Sequence, residues 1–164
     1  MYCRECGAKT TLRFCENEGL IPYCEKCQSY MFPQFPIALS MVVTNRAQDK
    51  ILLAKHVNDD DFILFAGYIK KGENAEKTIP REIKEELGLD VVKAKYMSSR
   101  YHAKKEILML NFIVVVEDKA IKIAENEIAE ARWCAPEEAL QLIRKGTTAE
   151  FFLNNAVREL KKKI

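Results

Sequence analysis

Three glutamates and an arginine stand close together in one short stretch of the chain. Glu82, Glu85 and Glu86 lie within five positions, directly after Arg81. On a helix, which turns by about 100° per residue, the three carboxylates would span an arc of about 100°. Like charges at this spacing repel one another, and the repulsion grows when the groups are removed from water. The run is therefore either a solvated helix face or a site for a divalent cation, because Mg2+ binds several converging carboxylate oxygens.

The same stretch carries a row of apolar residues. Ile79, Ile83 and Leu87 recur every four residues, so the predicted helix has a buried side and an acidic side. Pro80 precedes the acidic residues and predicts either a kink or a late start of the helix. Because every glutamate of the run follows the proline, we expect the acidic side to survive.

Strand-like and helix-like segments surround this helix. Runs of branched and aromatic residues that predict strands are residues 37–44, 50–56, 61–65, 90–102, 106–118 and 131–134. Residues 103–105 suit a hairpin turn between two of them. Residues 136–146 and 147–163 predict two further helices, the second with a capping box of Thr147 and Glu150. This order indicates an α/β or α+β sandwich.

Composition and charge narrow the class of protein. The chain has 164 residues, 48% of them hydrophobic, which suits one domain of usual size with a small appendage. Its 26 basic and 24 acidic residues give a net charge of +2, which does not indicate nucleic acid or a membrane surface as the main partner. The longest apolar run, residues 107–116, is far shorter than the ~20 residues of a membrane helix. With no signal peptide at the N-terminus, we expect a cytoplasmic protein without a membrane partner.

Four cysteines near the N-terminus have the spacing of a metal site. Cys3 and Cys6 form one C-x2-C pair and Cys24 and Cys27 another, separated by seventeen residues. This spacing is typical of structural Zn2+ sites with four thiolate ligands, which leave no open position for chemistry. Reduced, unliganded cysteines or two disulfides are the alternatives. A reducing compartment disfavours disulfides, and a segment this short needs a cross-link to fold.

A segment rich in proline and aromatic residues, MFPQFP at residues 31–36, follows the second cysteine pair. Prolines at this spacing predict an extended linker. We therefore divide the chain into a zinc ribbon at residues 1–32 and a larger domain at residues 33–164. Cys15 and Cys134 are predicted to be unliganded.

The acidic stretch matches every fixed position of the Nudix box, G-x5-E-x7-R-E-U-x-E-E-x-G-U, where U is aliphatic. The match begins at Gly67, includes Glu73 and ends at Leu89. From about residue 36 to 164 the chain resembles a Nudix domain. The resemblance implies a mixed-sheet α/β/α sandwich that binds Mg2+ or Mn2+ and hydrolyses a nucleoside diphosphate linked to a further group.

The resemblance also implies which residues bind the cation. Glu82 and Glu86 would be ligands, together with the backbone carbonyl of Ala66. Glu85 would be a further ligand, or the group that orients or deprotonates the attacking water. Which glutamate is the general base stays open, as does the choice between Mg2+ and Mn2+.

Other residues of the box would support the loop and the helix. Arg81 would pair with Glu85, four residues on, and fix its side chain. Gly67 would let the backbone approach the cation, and Glu73 would brace the loop.

Features outside the box resemble the NADH pyrophosphatase branch of the family, which also removes NAD caps from RNA. They are the four-cysteine ribbon, the aromatic-proline linker, the sequence AGY at residues 66–68 and the sequence EIAEARW at residues 127–133. The branch implies that Glu127 reaches the metal and that Tyr68 stacks on a base, a contact worth about 1–3 kcal/mol. It also places Phe32 and Ala149 near the substrate. The alternatives are that Glu127 is a surface acid and that Tyr68 belongs to the core.

One array of that branch, SQPWPFPxS, is largely absent. The aligned positions, which begin at Ser99, read SRYHAKKEI and lose all three prolines and the tryptophan. The substrate is therefore open among NADH or NAD+, ADP-ribose, a nucleotide sugar and a nucleoside triphosphate. A non-catalytic Nudix-fold regulator that binds a nucleotide is a further hypothesis, although the complete acidic face argues against it. A nucleic-acid partner is not expected except as capped RNA ends, and the resemblance makes a homodimer an option.

Overall fold

The computed structural model describes residues 1–162, and its internal contacts divide the chain after Phe35. The first compact unit is Met1–Phe35, and the second begins at Pro36. The division falls within the proline-rich linker, a few residues after the sequence-based boundary at residue 32. In this described part of the chain, no helix has the length and apolarity needed to cross a membrane.

The first unit is a small antiparallel sheet with almost no core. Its three strands, in spatial order, are β1 Thr11–Cys15, β2 Gly19–Cys24 and β3 Ser29–Tyr30. The buried hydrophobic cluster of this unit consists of Cys3, Cys24 and Met31. Apolar burial on this scale cannot offset the conformational entropy of folding about thirty residues, so the unit needs a further cross-link.

The second unit is a mixed sheet with helices on both faces. Its elements are β4 Ile37–Thr44, β5 Ile51–His56, β6 Phe65–Tyr68, α1 Ala75–Leu87, β7 Val91–His102, β8 Ile107–Val116, β9 Ile128–Cys134, α2 Pro136–Leu142 and α3 Thr148–Lys161. The sheet order is β7-β8-β4-β5-β9, with β6 paired to β4. Strands β4 and β8 run parallel and the other pairs antiparallel. The predicted mixed α/β sandwich is confirmed.

Alternation along β4 builds the two cores. Leu39 and Met41 face the cluster that includes the buried side of α1, whereas Val42 faces the cluster formed with α3. Side chains of a strand point alternately to its two faces, so each helix packs on its own layer of the sheet. Packing on the sheet thereby determines which side of α1 faces away from the sheet.

Helix α1 begins before its proline. Asn74 is the N-cap, and its side chain accepts a hydrogen bond from the backbone N–H of Lys77 at 3.0 Å. At the other end, Gly88 adopts a left-handed φ of 66°, a conformation that glycine tolerates without a Cβ clash. Pro80 lies inside the helix, so the late start considered from the sequence does not occur. The cap supplies the start signal, and the proline only removes one internal donor.

Several element boundaries differ from those predicted. The strand expected at residues 61–65 is β6, which starts at Phe65, while Phe62 and Ile63 form only isolated bridges. Helix α2 ends at Leu142, short of the predicted end at Gly146. The hairpin turn between β7 and β8 lies at residues 103–106, one residue longer than the predicted 103–105.

The N-terminus of α3 forms a variant of the predicted capping box. The hydroxyl of Thr147 accepts from the backbone N–H of Glu150 at 3.2 Å. The Glu150 carboxylate accepts from the N–H of Gly146 at 2.7 Å, one residue before the cap. The last residue of the predicted helix, Lys163, lies outside the described residues.

The cap of α1 yields a first prediction. Asn74→Ala should lower the free energy of unfolding by about 1 kcal/mol, because the Lys77 N–H loses its side-chain acceptor at 3.0 Å and keeps only the backbone carbonyl of residue 74 at 3.2 Å. Asn74→Ser, which keeps an acceptor, should retain most of the stability. Urea unfolding followed by the fluorescence of Trp133 measures both, and equal midpoints for Asn74→Ala and the wild type would contradict the role of this cap.

Candidate active site

The acidic residues of α1 lie on a side next to its buried row, and Glu86 borders that row. Ile79, Ile83 and Leu87 are at most 1% exposed and anchor the helix on the sheet. The Glu86 residue is only 8% exposed, whereas the side chain of Glu85 is 55% exposed. A solvated helix face does not describe this arrangement, because one of its carboxylates is buried.

Burial and neighbouring carboxylates act together on Glu86. Removal from water, followed by the negative charges of Glu82, Glu127 and Glu85, raises the pKa of the Glu86 carboxyl to about 8. No hydrogen-bond donor or basic side chain pairs with the Glu86 carboxylate among residues 1–162. A buried acid without a partner is costly unless a cation binds it.

The loop before β9 brings Glu127 to the helix. The backbone N–H of Ala124 donates to the carbonyl of Glu86 at 3.0 Å, which fastens the loop to α1. The N–H of Glu127 then donates to the Ala124 carbonyl at 2.9 Å, and its own carbonyl accepts from the N–H of Val57 at 3.0 Å. Glu127 is exposed, yet its carboxylate is close enough to raise the pKa of Glu86.

Arg81 binds three carboxylates at once. Its guanidinium donates two hydrogen bonds to Glu73, both at 2.9 Å, one to Glu82 at 2.7 Å and one to Glu85 at 3.1 Å. It also donates to the backbone carbonyl of Tyr68 at 3.3 Å. The Glu85 contact is the one the sequence predicted, but the two-pronged pair with Glu73 has the stronger geometry.

Glu73 holds the loop that precedes α1. Hydrogen bonds from Arg81 lower the pKa of the Glu73 carboxyl to about 2. The same carboxylate accepts from the backbone N–H of Lys70 at 3.2 Å and from the hydroxyl of Thr78 at 3.0 Å. Loop and helix are thereby tied together through one side chain. The helical spacing rule could not reveal the Glu73–Arg81 contact, because Glu73 lies outside the helix.

Strand β6 passes close to the acidic side chains. A Cβ on Gly67 would lie 2.3 Å from the side-chain Cδ of Glu82, so only glycine fits there. Gly72, in the loop, has a left-handed φ of 87°. Ala66, the residue whose carbonyl the sequence assigned to the cation, is on the same strand and lines the adjoining cavity.

The site fits a hard divalent cation by the chemistry of its donors. The carboxylates of Glu82, Glu86 and Glu127 and the backbone carbonyls of β6 would all offer oxygen donors, the type that Mg2+ and Mn2+ prefer. Glu86 is the observation that decides the fit, since it is buried beside like charges with no partner of its own.

A cavity of about 680 Å3 adjoins the site. It is bounded by β6, by the β7–β8 hairpin turn and by the segment before α3, and its lining includes Tyr68 and Ala149. The Tyr68 residue is 56% exposed, so the alternative of a core tyrosine is wrong. Phe32 belongs to the first unit, where its ring centroid lies 6.3 Å from that of Tyr30.

The cysteine sulfurs of the first unit cluster at one point. All four Sγ atoms, those of Cys3, Cys6, Cys24 and Cys27, lie within 4.8 Å of one another. The Cys3–Cys27 and Cys6–Cys24 sulfur distances are 3.8 and 3.6 Å. A disulfide bond would be about 2.05 Å long. A tetrahedron with Zn–S bonds of about 2.3 Å has edges of about 3.8 Å, so the cluster has the dimensions of a zinc site.

Comparison with known proteins agrees with this geometry. The model of the NUDIX domain family matches residues 34–160. The chain belongs to the NUDIX family.

Among curated relatives, the NAD-capped RNA hydrolase NudC of Photobacterium profundum is 26% identical over 162 residues, which cover 98% of this chain and 59% of that protein. The protein of the same name from Salmonella typhi is 31% identical over 136 residues, which cover 82% and 52%. The chain thus spans little more than half the length of these relatives.

Solved structures show the same NUDIX fold. A NUDIX hydrolase from Nitrosomonas europaea superposes with a TM-score of 0.69 at 17% identity and covers 99% of this chain and 91% of its own. The NUDIX domain of Shewanella oneidensis NrtR, solved with ADP ribose, gives a TM-score of 0.63 at 16% identity, with 87% and 94% covered. The NudC relatives confirm the resemblance to the NADH pyrophosphatase branch that the sequence indicated.

Titration of Glu86 gives a second prediction. Its folded-state pKa lies above the ordinary value of 4.5, so the unfolded chain releases this proton more readily. Without added Mg2+ or Mn2+, the free energy of unfolding should therefore fall as pH rises from about 4.5 to about 8. Glu86→Gln should remove this slope and stabilise the protein at pH 8 by about 1–3 kcal/mol.

Denaturant unfolding between pH 5 and 8 measures this effect. Glu76→Gln is the matched control, since Glu76 is exposed in the first turn of the same helix. Added Mg2+ should stabilise the wild type and the control but not Glu86→Gln. A slope that persists unchanged in Glu86→Gln would contradict the assignment.

Proposed function

We propose that the protein hydrolyses the pyrophosphate bond of a nucleoside diphosphate linked to another group, with Mg2+ or Mn2+ as cofactor. The favoured substrate is a dinucleotide of the NADH or NAD+ type. One observation carries the proposal: Glu86 is buried without a partner among the carboxylates of Glu82, Glu85 and Glu127. Such an arrangement lowers the stability of the protein without a cation, and a bound divalent cation would remove that cost.

Glu82, Glu86, Glu127 and the Ala66 carbonyl are the proposed ligands. When bound, the cation neutralises phosphoryl oxygens and increases the acidity of water. Glu85 is the proposed general base, because it is the most exposed carboxylate of the helix face and reaches solvent. Its oxygen takes the proton as water attacks phosphorus; the bridging P–O bond breaks and two phosphomonoesters form.

Arg81 and Glu73 position these groups and do not react. The guanidinium holds Glu82 and Glu85 at 2.7 and 3.1 Å, so both side chains have a defined orientation before substrate binds. Glu73 in turn fixes Arg81 and the loop backbone. Preorganisation of this kind lowers the reorganisation needed in the transition state.

The cavity supports a nucleotide substrate. Its volume of about 680 Å3 lies in the usual range of small-molecule sites. Tyr68 presents an exposed ring at its wall for a base, and the small side chain of Ala149 also lines the cavity. The relatives named as NAD-capped RNA hydrolases support an NAD-like group, either free or as the cap of an RNA end.

The hairpin from Ser99 differs from that of the related branch, so other substrates are alternatives to NADH and NAD+. ADP-ribose, a nucleotide sugar and a nucleoside triphosphate all present the same pyrophosphate to the acidic face. A nucleotide-binding regulator remains the candidate from another class. It is disfavoured because binding alone does not require the complete set of Arg81, Glu82, Glu85 and Glu86.

We also propose that the chain is organised as a zinc ribbon at residues 1–32 and a hydrolase domain at residues 33–164. The sulfur–sulfur distances support Zn2+ as the ion that cross-links the first unit. Free thiols at all four ligand positions are compatible with the reducing cytoplasm.

Turnover across a nucleotide panel tests the proposed reaction. The panel contains NADH, NAD+, ADP-ribose, a nucleotide sugar and nucleoside triphosphates. With Mg2+ or Mn2+, NADH and NAD+ should each yield two phosphomonoesters, which chromatography resolves. Glu82→Gln should lower kcat by at least about 100-fold through loss of a metal ligand. Glu76→Gln should match the wild type. Silence across the panel, or full activity of Glu82→Gln, would overturn the proposal.

The cysteine cluster gives a separate prediction. Cys24→Ser should weaken zinc binding by at least about tenfold and lower the thermal stability of the chain. Cys15→Ser is the control, because Cys15 is a free thiol in the same unit outside the cluster. Zinc release to a colorimetric chelator and thermal unfolding report the two effects. Equal zinc content in both variants would exclude Cys24 as a ligand.

A further inference from the structure

The cavity beside the site has a lining of one charge sign. Four of its lining residues, Arg100, Lys104, Lys105 and Arg144, are basic, and none is an aspartate or glutamate. The whole chain, by contrast, has 26 basic and 24 acidic residues. A concave surface lined by one sign of charge concentrates ligands of the opposite sign.

Three of these cations keep their charge available. Arg144 pairs with Asp61 at 2.6 Å and with Asp59 at 3.4 Å, so it is neutralised locally. Arg100 lies over the ring of Phe151, 4.7 Å from its centroid, a contact that positions the guanidinium without cancelling its charge.

Lys104 and Lys105 complete the set. In the described chain neither forms an ion pair, whereas Lys84, Lys95 and Lys119 are paired with acids elsewhere on the same unit. Another groove of the second unit has a mixed lining that includes both Glu76 and Lys93. The cavity, by contrast, combines unpaired basic side chains with a lining in which no described residue is an acid.

The hairpin turn that carries the lysines is held by its own backbone. The N–H of Lys105 donates to the carbonyl of His102 at 3.1 Å and approaches its ring Nδ1 at 3.2 Å. The N–H of Glu106 donates to the carbonyl of Ala103 at 3.3 Å, and Glu106 adopts a left-handed φ of 51°. The β7–β8 ladder fastens this turn to the sheet up to the His102–Ile107 pair. The basic side chains thus project from a defined edge.

The two charged surfaces meet at β6. Gly67 contacts the acidic helix through Glu82, and Ala66, Gly67 and Tyr68 also line the cavity. A substrate whose pyrophosphate lies at the acidic helix would extend past β6 toward the hairpin. We propose that the segment Arg100–Lys105 is a specificity determinant that binds a phosphate additional to the scissile pyrophosphate, an inference that rests on the proposed function.

Two kinds of substrate carry such a phosphate. One is a dinucleotide with a phosphate on a ribose, and the other is a nucleotide with a longer phosphate chain. Both present a compact dianion to the lysines, which bind phosphate as strongly charged point donors, and to Arg100, which offers a planar set of donors.

Paired ligands that differ by one phosphate test the inference. NADP+ against NAD+ isolates the ribose phosphate, and ATP against ADP isolates the chain phosphate. Dissociation constants are measured by calorimetry without added Mg2+ or Mn2+, and kcat/KM is measured with them. The wild type should favour the phosphate-bearing member of at least one pair, and the preference should fall by about tenfold or more in Lys104→Gln/Lys105→Gln.

The matched control is Lys50→Gln/Lys93→Gln, which removes the same charge. Both lysines are exposed, and neither forms an ion pair with a described residue. Lys93 faces Val115, at the end of the β7–β8 ladder away from the hairpin turn. The control should keep the wild-type preference. The member of each pair that lacks the additional phosphate should bind all three proteins within about twofold, since it has no group for the lysines to bind.

The outcomes separate the inference from the proposed reaction. A preference for NADP+ that is lost in Lys104→Gln/Lys105→Gln assigns the subsite to a ribose phosphate, and the same result with ATP assigns it to a phosphate chain. Binding discrimination without turnover of any ligand would sustain the subsite and overturn the proposed reaction. Turnover of NAD+ with no lysine-dependent preference in either pair would overturn the subsite alone.

Discussion

Repulsion among carboxylates at helix α1 is the constraint around which the second unit is arranged. Glu86 is buried among Glu82, Glu85 and Glu127, and its pKa is raised by that burial and by their charges. A free helix would relieve the repulsion by turning or unwinding. It is held because its apolar side, the row of Ile79, Ile83 and Leu87, is buried against the sheet. Burial of an aliphatic side chain is worth about 1.5–3 kcal/mol, so the core outweighs the acid cost.

Arg81 divides the acids into two groups. It pairs with Glu73, Glu82 and Glu85 but makes no contact with Glu86. The first group is oriented and partly neutralised by Arg81. Among residues 1–162 Glu86 has no basic partner, and its pKa is raised. A cation at the proposed site would bind beside carboxylates that Arg81 already orients, and its binding would remove a cost that the folded protein otherwise carries.

The features that could be predicted from the sequence are those that depend on residue spacing within a short segment. The acidic and apolar rows of α1, the two cysteine pairs and the hairpin at residues 103–105 each follow from short-range periodicity or turn chemistry. The Glu73–Arg81 pair was not predicted, because it depends on the path of the loop between Gly67 and the cap Asn74. The basic cavity was missed as well. Its walls come from β6, the β7–β8 turn and the segment before α3, which are far apart in the chain.

In the proposed function, reaction class and substrate choice depend on different elements of this fold. The acidic helix and its loop carry the family's box intact, so the proposed chemistry at phosphorus follows the family. The hairpin from Ser99 carries charged residues where the related branch has prolines and a tryptophan. Lysine and arginine favour anionic groups, which proline and tryptophan cannot bind through charge, so the NudC relatives, at 26% and 31% identity, support the proposed reaction more strongly than any one substrate.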